Sequence, residues 1–206
     1  MYLLPMEFFQ SQSSDETDLT NCFKSDQKDV SNLTFIHKPS FILIRSKKKP
    51  LQIRTSICSL PFGVEKEYGN YLMKICIGGY RQHIPVSRKF LDKIIAYEKQ
   101  FCQYLNIDPN MFMSQIRWSE KYDPLLTTRF FGTKSNPLVI KDPTGKSYTF
   151  VEIPTKCKLK GLLEASPIWK TSNQKHVVKW IWKSVVIKEL PPENITYVSK
   201  PYPMRV

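Results

Sequence analysis

Apolar residues in this chain recur mostly in short alternating runs. Leu51, Ile53, Thr55 and Ile57 alternate with Gln52, Arg54, Ser56 and Cys58, the period of two that marks a strand. Pro61-Phe62-Gly63 breaks that run, and 71–77 forms the next. The pair reads as a long antiparallel hairpin, with a polar turn at 65–70 and Gly78-Gly79 at its end. Further strands are expected at 127–131 and 156–165. Asp142-Pro143-Thr144-Gly145 supplies tight-turn chemistry between 138–141 and 147–153. The helical exception is 87–106. There Phe90, Leu91, Ile94, Ile95, Phe101, Cys102 and Leu105 form one apolar stripe, with Ser87 placed to cap it. Pro109 starts a shorter helix expected at 109–115.

The stretch 166–190 stands apart. It holds three of the four tryptophans, Trp169, Trp180 and Trp182, with lysines threaded among them. β-branched and aromatic residues make 177–187 a long strand. One parity carries Val178, Trp180, Trp182 and Val186; the other carries Lys179 and Lys183 among aliphatic residues. Such a strand serves as a core strand or meets a partner. About seven strands with a helix inserted in mid-order predict a mainly β fold, an OB-fold-like Greek-key β-barrel.

Three parts follow: an acidic, mobile tail at 1–38, a barrel domain at 39–190 and an extended tail at 191–206. Charge sharpens the division. The chain carries +13 overall, yet residues 1–38 carry −3 and the remainder +16. A basic domain favours polyanionic partners. The acidic arm either solubilises the chain or competes for the same groove. At 41% hydrophobic, the chain can build a core. Five cysteines without a Cys-x-x-Cys indicate reduced thiols, with no zinc site and no disulfide framework. No apolar run suits a membrane span. These features point to the cytoplasm, or to the nucleus through the Lys47-Lys48-Lys49 run.

Catalytic chemistry is sparse. His37, His83 and His176 lie far apart in unlike contexts. Thr144-Gly145-Lys146-Ser147 resembles the end of a phosphate loop, but Ile140 stands where the loop needs glycine and Pro143 lies inside it. The carboxylates are scattered, so no two-metal nuclease is suggested. The chain is read as non-enzymatic, with no catalytic residue, metal or cofactor.

A binding constellation remains. Its candidate residues are Lys47, Lys48, Lys49, Arg54, Arg117, Trp118, Lys121, Tyr122, Arg129, Trp169, Lys170, Trp180 and Lys183. Cations neutralise phosphates and flat rings stack on unpaired bases. Lys158, Lys160 and Lys179 are further basic candidates, and about half of the aromatic set, including Phe130 or Phe131 and one of Trp180 and Trp182, is expected in the core. Trp182 is the favoured core anchor, and Trp169, in a turn before the last strand, the favoured stacking residue.

Several segments resemble, in order, the single-stranded DNA-binding proteins of large cytoplasmic DNA viruses. Lys49-Pro50-Leu51-Gln52-Ile53-Arg54-Thr55 with Leu60-Pro61-Phe62-Gly63-Val64 resembles their first hairpin. Lys121-Tyr122-Asp123-Pro124-Leu125 resembles their central loop. The run 158–163, Ser166-x-Ile168-Trp169 and Trp182-Lys183-x-Val185-Val186-Ile187-Lys188 resemble their closing strands. The resemblance covers about residues 48–190. It implies an oligonucleotide-binding barrel that coats single-stranded DNA during replication of a virus or a virus-like linear plasmid. It further implies a replication polymerase or other replisome proteins as partners. Such proteins often end in an acidic tail, whereas this chain is acidic at its start and ends Pro201-Tyr202-Pro203-Met204-Arg205-Val206. The alternatives are a binder of duplex DNA termini or of RNA on the same barrel, and a non-catalytic scaffold.

Overall fold

A computed structural model of the 206-residue chain describes residues 32–67, 70–77, 85–130 and 138–191. The first strands are β1 (Leu33–His37), β2 (Phe41–Ser46), β3 (Lys49–Pro50), β4 (Gln52–Arg54) and β5 (Cys58–Ser59). Then come β6 (Val64–Glu67), β7 (Asn70–Cys76) and helix α1 (Pro85–Leu105). After the helix follow β8 (Phe112–Met113), β9 (Ile116–Arg117), β10 (Leu125–Phe130), β11 (Ile140–Lys141) and β12 (Ser147–Tyr148). The last are β13 (Lys158–Ala165), β14 (Ile168–Lys170), β15 (His176–Val177) and β16 (Trp180–Glu189).

Five barrel positions close into a ring. The broken strand β4–β5 pairs antiparallel with β13, and β5 pairs with β7. β7 pairs antiparallel with β10, β10 runs parallel to β16, and β16 returns antiparallel to β13. Written by barrel strand the order is 1-2-3-5-4-1, which is the OB-type Greek-key barrel. The fold expectation is met. α1 lies between barrel strands two and three. Its buried face of Phe90, Leu91, Ile94, Tyr97 and Phe101 covers one barrel end, with Tyr97 and Trp180 ring centroids 6.3 Å apart. No helix among the described residues is long and apolar enough to cross a membrane.

The barrel interior explains the seam between strands four and five. Trp182 lies opposite Leu163 and Ser184 opposite Leu162, so Lys183 is the extra residue of a β-bulge. Gly161 faces Val185 there, and a Cβ on it would lie 2.1 Å from the Ser184 carbonyl oxygen and 2.9 Å from the Trp182 ring. Only glycine lets the tryptophan cross this strand. The Trp182 indole donates to the Thr128 hydroxyl at 2.8 Å, and that hydroxyl donates to the Met73 carbonyl at 2.8 Å. These buried bonds tie strands five, three and two together.

A second sheet stands beside the barrel in the order β1-β2-β14-β15-β8, with β3 on β2. β14 and β15 extend the β13 and β16 hairpin beyond the barrel, and the N-terminal hairpin β1–β2 pairs onto β14. Phe35 of β1 stacks on Tyr104 of α1 with centroids 3.7 Å apart.

Several expectations shift. The tail predicted at 1–38 includes β1, which is folded and paired. Residues 1–31 and most of the expected C-terminal tail lie outside the described residues. On the side where the hairpin was expected β7 pairs with β6 over residues 70–73, where a polar turn was expected, and with β5 only at Cys76. Thr55 and Ser56 are both buried, which breaks the alternation of 51–60. The helix begins at Pro85, two residues before the expected cap. The shorter helix reduces to a single 3₁₀ turn, Pro109–Met111.

Candidate nucleic-acid interface

Barrel strand three sets the first group. In β10 Leu126, Thr128 and Phe130 are buried, so Leu125, Thr127 and Arg129 face outward. Arg129 stands opposite Leu72 on one side and Ile181 on the other. Its Nε is enclosed by protein and meets no acceptor. Lys179, just before β16, comes close enough to feel that guanidinium. Burial first, and then the Arg129 charge, hold the Lys179 ammonium below the usual lysine range. Among the described residues, neither cation has an ion-pair partner. Two half-buried cations held together without an acid form a site that an anion relieves.

β9 adds to this group. Arg117 pairs with Leu125, which places it on the outer side of β10, and it is exposed. The chain then leaves in a loop that projects Trp118 at 55% exposure, Lys121, and Tyr122 at 73%. Glu98 of α1 anchors the base of this segment by accepting the Gln115 backbone N–H at 3.4 Å. Burial raises the Glu98 carboxyl above the usual range, countered by the bonds it accepts from Ser114 and Gln115.

The opposite wall of the barrel is different. Arg54 faces outward from strand one, opposite Leu162. Lys183, turned out by the bulge, meets Glu164 at 3.6 Å. Glu164 also accepts from Gln52 at 2.7 Å, and Lys158 meets Glu189 at 2.6 Å. Arg54 and Lys183 therefore belong to a wall of mixed charge, away from Arg117 and Arg129.

The second sheet carries the rest. Trp169 is 39% exposed, within β14 and not in a turn as expected, and it packs on Phe41 of β2 with centroids 4.9 Å apart. Lys170 is exposed beside it, opposite His176. Lys47 and Lys48 form the tight turn between β2 and β3 with φ of 51° and 67°. That left-handed backbone costs about 1–2 kcal/mol per residue for a side chain of this kind. Phe41 lies six residues before Lys47, so the turn is ~20 Å from Trp169 along the strand.

One candidate is withdrawn. Trp180 is 1% exposed, packed against Tyr97 inside the barrel end, and no base reaches it. Trp182 is in the core as expected, at 2%, so both tryptophans of β16 are interior. Phe130 is buried as well, and Phe131 lies outside the described residues. Phe41 was missed, because its role depends on a pairing with β14 that no local pattern announces.

The described thiols are free. Burial pushes Cys58 and Cys157 up to about 12 and Cys76 up to about 11. They are protonated at neutral pH and poor nucleophiles.

No protein-family model matches the chain, and no curated protein matches it in sequence. Solved structures do. A single-stranded DNA-binding protein of bacteriophage T7, gp2.5, aligns over 69% of this chain and 88% of its own with 18% identity and a TM-score of 0.47. A single-stranded DNA-binding protein of bacteriophage Enc34, truncated at its C-terminus, aligns over 79% and 96% with 14% identity and a TM-score of 0.45. The same phage protein in complex with single-stranded DNA aligns over 78% and 97% with 14% identity and a TM-score of 0.43.

Proposed function

We propose that the chain is a non-catalytic, sequence-independent single-stranded DNA-binding protein that coats exposed template during replication of a virus or virus-like element in the host cytoplasm. The observation that carries this reading is the outer side of β10. There Arg129 and Lys179 have no acidic partner among the described residues, and the Trp118–Tyr122 loop projects exposed rings beside Arg117. Phosphates settle on Arg117, Lys121, Arg129 and Lys179. Bases stack on Trp118 and Tyr122. Side chains this exposed suit unpaired bases, whose faces are free, better than a duplex, whose faces are stacked. The phage proteins named above are single-stranded DNA-binding proteins. A replication polymerase or other replisome protein is the partner that coated template would meet.

Titration with oligo-dT tests it. Binding should quench tryptophan fluorescence, weaken steeply with salt, and exceed binding to duplex and to RNA of equal length. Trp118→Ala and Tyr122→Ala should each weaken binding by about 1–3 kcal/mol if each ring carries a base. Absence of quenching together with equal affinity for single and double strands overturns the proposal. Stronger binding to RNA or to duplex ends transfers the face to those ligands.

A further inference from the structure

The second sheet has a property that the barrel lacks. Its segments, residues 32–50, 112–113 and 166–177, contain seven lysines and arginines and not one aspartate or glutamate. Register aligns Phe41, Trp169, Val177 and Met113 in one row across four strands, so their side chains share a face. Within that row Trp169 and Met113 are 39% and 41% exposed, and Phe41 supports the tryptophan from beside it. Lys38 stands exposed in the turn that leads into Phe41, and Lys175 is exposed in the turn between β14 and β15; Lys170, one residue past Trp169 in β14, belongs to the opposite face with His176. Burial first, and then Lys170, hold His176 below the usual histidine range, so at neutral pH it adds no charge of its own.

We infer that this sheet is a second seat for single-stranded DNA, separate from the outer side of β10. Trp169 backed by Phe41 is its stacking platform, and Lys38 and Lys175, in the turns at its two sides, are its phosphate partners. The inference rests on the single-stranded DNA reading of the barrel. The competing occupant is the chain's own residues 1–31, which hold six acidic and two basic residues and lead directly into β1. Carboxylates would account for the cations alone. A strand of unpaired bases accounts for the cations and for the exposed tryptophan together, so DNA is the occupant assigned here.

The experiment uses the full chain, its Trp169→Leu variant and its Lys38→Gln/Lys175→Gln variant. Each is titrated with an oligo-dT of about 8 nucleotides, a length one barrel covers, and with one of about 30. Both variants should bind the short strand within about twofold of the parent. On the long strand Trp169→Leu should lose about 5- to 150-fold, the stacking of one base. The double lysine variant should lower the slope of log affinity against log salt by about 1.4, at ~0.7 per phosphate, on the long strand alone. Its substitutions are all on exposed positions, so it remains decisive if the Trp169 variant is poorly folded. Long-strand binding equal to the parent's in the double lysine variant overturns the inference, as does an equal loss on both lengths. A gain in affinity by the double lysine variant assigns the sheet to residues 1–31 and also overturns it. If the parent binds neither strand, the failure belongs to the barrel reading.

Discussion

Lys179 and Lys183 lie four positions apart at one end of the last barrel strand, in opposite electrostatic surroundings. Lys179 stands by Arg129, half-buried, with no acid among the described residues to balance either charge. Lys183 is the bulged residue and is turned toward Glu164 at 3.6 Å. The contrast extends over both walls. On the strand-four side Glu164 and Glu189 hold Lys183 and Lys158, and exposed pairs of this kind contribute little to stability. On the strand-three side the repulsion between Arg129 and Lys179 opposes folding, and an arriving phosphate would relieve it. Lysines that look alike in the sequence thus divide into one group whose charge is already balanced and another whose charge has no acidic partner among the described residues.

Both walls hang on one seam, and breaking it should produce the largest effect. Gly161→Ala drives a methyl group into the Ser184 carbonyl and the Trp182 ring. Backbone has no flexible end to yield, so a loss of about 3 kcal/mol or more is expected in urea unfolding. Gly145 is the control. Its φ is +89° but nothing lies within 4 Å of an added Cβ, so Gly145→Ala should cost only the left-handed strain, about 1–2 kcal/mol. Equal losses at the two glycines would mean that the seam is not as tight as its geometry indicates.

The comparison itself is tested by two triple variants. Arg117→Gln/Arg129→Gln/Lys179→Gln should lower the salt slope of oligo-dT binding by about 2. Between 50 and 200 mM salt that removes about an 18-fold change in affinity. Arg54→Gln/Lys158→Gln/Lys183→Gln removes the same formal charge from the other wall and should leave the slope unchanged. Equal effects would reduce the interface to net charge and dissolve the distinction between the walls.

How much of this was legible without coordinates follows from what each feature depends on. The helix stripe, the Asp142–Gly145 turn, the β13 strand and the OB-type order were visible because they rest on local period and turn chemistry. Asp142 itself accepts from Thr144 and Lys146 backbone N–H groups and from the Tyr148 hydroxyl, which is why that turn reads so clearly. The bulge at Lys183 was not visible. It shifts the phase of β16, so Val185 and Ile187 join the tryptophans inside while Val186, expected with them, is 39% exposed. The same kind of slip at Ser56 hid the break between β4 and β5. β1 was read as tail because a strand of five residues has no signature until β2 and Tyr104 cover it. The candidate site was legible as residue types but not as sides. Nothing local separates Lys179 from Lys183, and nothing but pairing joins two acid-free segments more than a hundred residues apart into one sheet.

The smallest expected effect is a dependence on pH. Lys179 is held below the ordinary lysine value of about 10.4 by burial and by Arg129. In the unfolded chain neither influence acts. Below the folded value both states are protonated and the folded protein bears the full repulsion; between the folded and unfolded values that repulsion is released, so the Lys179 contribution to stability rises with pH. Binding runs the other way. A phosphate at this position favours the charged lysine, so above the free-protein value binding must take up a proton and affinity falls as pH rises. The fall should begin below the ordinary lysine range, and it should amount to no more than one phosphate contact. Lys179→Arg keeps its charge throughout this range. Affinity for oligo-dT measured from pH 7 to 10 should therefore separate the two proteins as pH rises, with the arginine variant declining later. Superimposable profiles would show that Lys179 takes no part in holding the strand, and Arg129 would then face the phosphate alone.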